Sequence, residues 1–176
     1  MNRRADVAMT ADEVTALVDA QRKLQLATIN PDGTPHLVTM FYGMVDLPDE
    51  GGEDGCGRRL SLFGGHAGGG ARRRIAFWTY RSSQKIRNIE RDPRVTCLIE
   101  TGVEYFELRG AVIYGTATML TGQDDVRHVG AQVLRRMMED VEDDAVAALV
   151  EAAAAKRYAV VVEPVRVASW DHRKMT

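Results

Sequence analysis

A chain of 176 residues, 45% hydrophobic and 27% charged, has the size and composition of one globular domain. Its formal net charge of −2 excludes a global pull toward nucleic acid or an anionic membrane, so any anion site must be local. No stretch reaches the ~20 apolar residues of a membrane span, no apolar leader core precedes Met9, and Cys56 and Cys97 have neither disulfide nor zinc spacing, so a cytoplasmic setting is expected.

Thr10 and Glu13 have capping-box spacing and Val14, Leu17 and Val18 follow on one face, which predicts a short opening helix. Residues 24–29 read as a strand, Asn30-Pro31-Asp32-Gly33 as a turn, and residues 34–45 as the second strand of a hairpin. Residues 46–74 carry Gly51-Gly52, Gly64-Gly65 and Gly68-Gly69-Gly70 around a short apolar piece at 60–63, and read as a long loop excursion. A loop of that length is either functional or disordered.

Residues 75–80 are a strong strand candidate. Ser82 or Ser83 then caps a helix that runs to about Glu90 and stops at Asp92-Pro93. Residues 94–101 alternate as a strand, and residues 104–120 form a long strand bent near Gly110 or Gly115. Thr121 caps the next helix, with Asp124 and Asp125 in its positive first turn, and residues 143–156 form an Ala-rich helix. Residues 158–163 and 165–170 close the chain as two strands interrupted by Pro164. Mostly antiparallel strands with a few peripheral helices predict one domain over residues 1–176, a mainly β (α+β) small barrel carrying helical decoration. The glycine-rich excursion lacks the lysine and hydroxyl residue of a nucleotide-binding P-loop.

The chemistry concentrates in Trp78-Thr79-Tyr80-Arg81-Ser82-Ser83-Gln84-Lys85-Ile86. A strand ends, hydroxyl residues turn the corner, and a helix begins, where unpaired backbone N–H groups carry positive potential. Hydroxyls from Ser82 and Ser83 and cations from Arg81 and Lys85 add up to a phosphate cradle, with a plain capped helix as the competing reading. A hydrogen bond to a charged group contributes about 1.5–3 kcal/mol, so three or four would hold a phosphate firmly.

That corner, followed by Arg91-Asp92-Pro93-Arg94-Val95, resembles the pyridoxamine 5'-phosphate oxidase-like superfamily, and most closely the flavin/deazaflavin oxidoreductases of its B group. The hairpin from Leu26 to Pro35 and the strand Ile113-Tyr114-Gly115-Thr116-Ala117 extend the likeness over about residues 10 to 171. The resemblance implies an antiparallel split β-barrel of about six strands, paired as a homodimer with the cofactor between subunits. It implies that Thr79, Ser83 and Lys85 hold the cofactor phosphate. It implies that Val38-Thr39-Met40-Phe41 runs along the ring, and that Trp170 and Arg173 reach over from the partner subunit. Trp78 is read either as core or as a wall of the cofactor site.

The implied function is hydride transfer between a ring cofactor and a small organic substrate. The Arg-rich composition and the B-group likeness together favour coenzyme F420, with FMN as the alternative. A carrier of FMN, F420 or tetrapyrrole without turnover is the second reading, and pyridoxamine phosphate oxidase activity the third. The excursion at 46–74 is longer than relatives usually have; its cations Arg58-Arg59 and Arg72-Arg73-Arg74 read as a solubilising surface or as a patch for an acidic cofactor tail. The histidines His36, His66, His128 and His172 have no i,i+4 or Cys-x-x-Cys partner, so no metal site is expected. No side chain stands out as a catalytic acid or base; Tyr105 and Tyr114 read first as packing residues.

Overall fold

A computed structural model describes residues 6–48, 71–138 and 140–175. In chain order the elements are α1 (Ala11–Ala20), β1 (Lys23–Ile29), β2 (Pro35–Phe41), β3 (Gly43–Pro48), β4 (Ala71–Tyr80), α2 (Gln84–Arg91), β5 (Arg94–Thr101), β6 (Arg109–Leu120), α3 (Gln123–Met137), α4 (Asp143–Ala154) and β7 (Arg157–Asp171). Short 3-10 turns stand at Tyr105–Glu107 and His172–Met175.

The strands form one antiparallel sheet in the order β2-β1-β5-β6-β7-β4-β3. β2 and β3 are its two outer strands, yet only Tyr42 separates them in the chain. The sheet must therefore curl until its edges meet at that residue, which gives the expected split barrel with seven strands rather than six. Tyr42 is fully buried; its hydroxyl donates to the Val18 carbonyl (2.6 Å) and the Arg136 guanidinium lies over its ring (4.6 Å).

Strand alternation divides the interior in two. Leu24, Leu26, Ile75, Phe77, Ile113 and Val160 fill the barrel, joined by Leu17 of α1 and Ile86 of α2. Ala76, Trp78, Ala159 and Val161 point the other way and pack against Val129, Val133 and Val146 of α3 and α4. β4 thus belongs to both cores, which fixes the strand that leads into the Tyr80–Lys85 corner.

The helix after that corner is pinned separately. Asn88 is fully buried; its amide donates to Thr28 Oγ1 and Asn30 Oδ1 (both 3.0 Å) and accepts from Gln84 Nε2 (2.9 Å). These bonds tie α2 to β1 and to the hairpin turn. The turn itself forms as expected, with Asn30 N–H donating to the Thr34 carbonyl (2.8 Å) and Gly33 at a positive φ of 83°.

Several expected boundaries move. The strand expected over 34–45 breaks at Tyr42, because residues 43–48 pair with β4 rather than β1. Residues 46–48 and 71–74 are strand, not loop, and residues 49–70 lie outside the described residues. The glycine pairs of the expected excursion, the piece at 60–63, Cys56, His66 and Arg58-Arg59 fall in that stretch. Arg72, Arg73 and Arg74 belong to β4, where Arg73 pairs with Asp19 (2.8 Å) and Arg74 with Glu163, so they do not form a loop patch. The opening capping box of Thr10 and Glu13 forms, while Gly122 rather than Thr121 caps α3. Residues 105–107 are a 3-10 turn ahead of β6. Pro164 does not split the last strand: β7 continues through it with a bulge opposite Tyr114/Gly115, where a missing N–H is tolerated.

Replacing Asn88 with alanine strands the groups it satisfies, and should lower the unfolding free energy by about 1–3 kcal/mol in denaturant melts. Hydrogen exchange should rise first in α2; a uniform change across the barrel would contradict its role as a local pin.

Candidate functional site

The corner is built by β4 running out at Tyr80 and α2 beginning at Gln84. Ser83 is the N-cap residue, with extended backbone (φ −72°, ψ 151°), but its hydroxyl makes no capping bond. Ser83 Oγ is instead buried with no hydrogen-bond partner among the described residues. Lys85 Nζ donates to Thr79 Oγ1 (3.0 Å), and Thr79 is buried beneath it. Burial, with a second contribution from the positive Arg157, holds the Lys85 ammonium below its usual pKa. Arg81 stacks over the Tyr158 ring (5.0 Å) and donates from Nε to the Arg157 carbonyl (3.3 Å). Ser82 is exposed, and its carbonyl accepts from Arg87 (2.8 Å).

A cavity of about 230 Å³ lies beside Trp78 near the end of β4, lined by Thr39, Met40, Phe41, Trp78, Met137 and Arg157. It therefore lies at the split, where β2 leaves the sheet edge and β4 passes under α3. The expected ring-side strand and Trp78 share one wall. Along β2, Val38 and Met40 lean into the core while Thr39 and Phe41 face out, so Val38 has only its backbone to offer. Trp78 is both core and wall: it packs in the helical cluster and borders the cavity. It fits because Gly130 of α3 has no side chain, since a Cβ there would lie 2.7 Å from the indole.

Arg157, the first residue of β7, went unnoticed in the sequence reading. It pairs with Tyr80 across the sheet, and its guanidinium lies over Trp78 (4.5 Å) and Tyr80 (4.4 Å). Only the register of β4 against β7 brings it here, and that register depends on contacts distant in sequence.

Trp170 and Arg173 lie elsewhere on the subunit. Trp170 packs closely against Gly110, and Arg173 pairs with Asp171 (2.6 Å), whose carboxyl the guanidinium holds below the usual carboxylate range. Trp170 and Arg157 stand at opposite ends of the 15-residue β7, so one subunit does not bring them together.

A roomier cavity of about 490 Å³ sits on the outer face of β1, β5 and β6, lined by Ala27, Ile29, Thr96, Tyr114 and Val165 among others. It is the weaker candidate for chemistry. Its lining is largely apolar, and its cation Arg94 is already paired with Asp92 (2.7 Å), whose carboxyl is drawn down to about 2. Leu37 and Val165 beside it are about two-thirds exposed (66% and 63%), an apolar face on an otherwise charged protein. Among the described residues no cluster of His, Cys, Asp and Glu could hold a metal, and no helix is long and apolar enough to cross a membrane.

The sequence profile of one family, described as pyridoxamine 5'-phosphate oxidase, matches residues 10–171. Among solved structures, the conserved hypothetical protein Rv2991 from Mycobacterium tuberculosis is 33% identical, with a TM-score of 0.76 over 97% of this chain and 90% of that one. The heme storage protein HutZ from Vibrio cholerae is 13% identical (TM-score 0.56, 89% of this chain, 91% of that one). A heme binding protein from Mycobacterium smegmatis is 15% identical (TM-score 0.56, 93% and 58%). The last two likenesses show the shared fold. No curated protein matches the sequence.

Substituting Gly130 with alanine should push the Trp78 indole off α3 and distort the cavity wall, at a cost of about 1–3 kcal/mol in unfolding free energy. Near-UV circular dichroism reports the displaced indole; an unchanged spectrum with unchanged stability would show that helix and ring can separate freely.

Proposed function

Because the chain belongs to the pyridoxamine 5'-phosphate oxidase family, we propose that it is an oxidoreductase whose phosphate-bearing flavin or deazaflavin cofactor is anchored at the Tyr80–Lys85 corner. The observation that carries this reading is the corner's unspent capacity. Among the described residues Ser83 Oγ is buried without a partner, and the neutral Thr79 hydroxyl is the one hydrogen-bond acceptor of Lys85 Nζ. A buried hydroxyl left unpaired costs about 1–3 kcal/mol, which a phosphate oxygen would offset. The residues present therefore fit the group.

When bound, such a ring supplies the hydride transfer. The chain's part is to bind and orient. Lys85, the Ser83 hydroxyl and the N-terminus of α2 hold the phosphate. Residues 38–41 offer main-chain groups to the polar edge of the ring, and Trp78 and Met137 exclude water from one side. The B-group resemblance favours coenzyme F420, and FMN would use the same corner.

A second copy of the chain completes the site in this reading. The apolar outer face around Leu37 and Val165 needs cover, and Trp170 at the far end of β7 and Arg173 in the turn after it lie too far away to serve their own subunit's corner. Light scattering after gel filtration should give twice the mass of one chain; a monomer at micromolar concentration would remove Trp170 and Arg173 from the site.

A second reading, ligand carriage without turnover, rests on the fold shared with HutZ. Reduced cofactor offered a panel of enones, quinones and biliverdin separates the two. Bound cofactor oxidised no faster than free cofactor would favour the carrier.

Titration with F420 and with FMN, followed by absorbance and fluorescence, tests the cofactor directly. One of them should bind with a Kd of about 1 μM or below, and binding of neither overturns the proposal. Lys85→Ala should weaken that binding by about 1.5–3 kcal/mol while leaving the melting temperature in place; unchanged affinity would take Lys85 out of the phosphate site.

A further inference from the structure

Several arginines among the described residues are visibly spent. Arg73, Arg74, Arg94, Arg127, Arg135 and Arg173 each face a carboxylate, and Arg136 donates to the carbonyls that end α1. The cations around the corner are not in that group. Among the described residues, Lys85, Arg81 and Arg157 form no ion pair. Three cations gathered without an acid are a charge imbalance that the fold itself does not correct.

Arg157 is the most constrained of the three. Trp78 and Tyr80 occupy the space over its guanidinium, leaving the in-plane N–H edge for polar contacts. On that edge Nε is buried and has no acceptor among the described residues. The backbone is tied to the corner from both directions: Arg81 N–H donates to the Lys156 carbonyl (3.1 Å) and Arg81 Nε to that of Arg157. The guanidinium also borders the cavity beside Thr39 and Phe41. Its positive charge opposes the charged form of Lys85, and an anion bound near the end of β4 would relieve that repulsion.

We infer that Arg157 is a second cation of the anion site, gripping a phosphate ester from the start of β7 while Lys85 and Ser83 hold it from α2. The aromatic clamp presents the planar fork ready-made, so little side-chain freedom is lost when the anion arrives. The inference rests on the reading that this corner receives a phosphate, and it adds the residue that closes the site from the other strand. The phosphate can be the monoester of FMN or the diester of F420.

The test compares ligands with and without phosphate on wild type, Arg157→Gln and Arg157→Lys. Arg157→Gln should weaken FMN or F420, whichever binds, by about tenfold or more, the range for a hydrogen bond to a charged group. It should leave riboflavin, or the dephosphorylated deazaflavin, within about twofold, while Arg157→Lys should keep most of the phosphate-dependent affinity. Equal weakening with and without phosphate would make Arg157 a ring contact or a purely structural clamp. Undiminished binding of the phosphorylated ligand would also overturn the inference.

A measurement on the wild-type protein stands even if Arg157→Gln does not fold. The Arg157 Nε–H resonance should move downfield with added inorganic phosphate and stay still with chloride; no movement with phosphate contradicts the inference. Movement in a protein that binds neither ring would leave the anion site standing and remove the redox reading alone. A ring cofactor bound at the corner with Arg157 silent would do the reverse.

Discussion

The fold depends on one tight crossing. Phe41 ends one edge of the sheet and Gly43 begins the other, so a single residue joins strands that are otherwise the most distant in strand order. Tyr42 bears that closure from a fully buried position, with its hydroxyl on the end of α1 and Arg136 of α3 across its ring. Gly43 helps, because a Cβ there would lie 2.8 Å from Gln132 of α3. A barrel closed by one residue cannot be continuous, and the split it leaves beside β2 is where the candidate cavity lies.

The two cores then divide the labour. The barrel interior holds β4 by Ile75 and Phe77, and the helical layer holds it by Ala76 and Trp78. A strand gripped on both faces can end in an undersatisfied corner without fraying. The stability comes from the apolar clusters, which leaves Lys85, Ser83 and Arg157 free to be arranged for an external anion. Asn88 extends the same logic to α2: its fixed amide network ties Gln84, the first residue of the helix, to Thr28 of β1 and Asn30 of the hairpin turn, and so orients the helix N-terminus.

Local signals were legible in the sequence, and long-range ones were not. The Thr10/Glu13 box, the Asn30–Gly33 turn and the Tyr80–Lys85 corner are written within a few residues each, and all three form. The split at Tyr42 was invisible, because residues 34–45 read as one strand until their partners are known. Pro164 argued for an interruption, yet a bulge opposite Gly115 absorbs it. Arg72–Arg74 read as loop charge because glycine-rich sequence precedes them, whereas Asp19 and Glu163, the partners of Arg73 and Arg74, lie far away in the chain. Arg157 was hidden for the same reason: nothing near it in sequence signals that Tyr80 and Trp78 will enclose it.

The most direct test of the account is a crystal structure of the protein with FMN or coenzyme F420 bound. The account expects phosphate oxygens within hydrogen-bond distance of Lys85 Nζ and Ser83 Oγ, with the ring lying along residues 38–41 toward a second subunit. A phosphate bound elsewhere, with the Tyr80–Lys85 corner filled by the protein's own side chains, would contradict it.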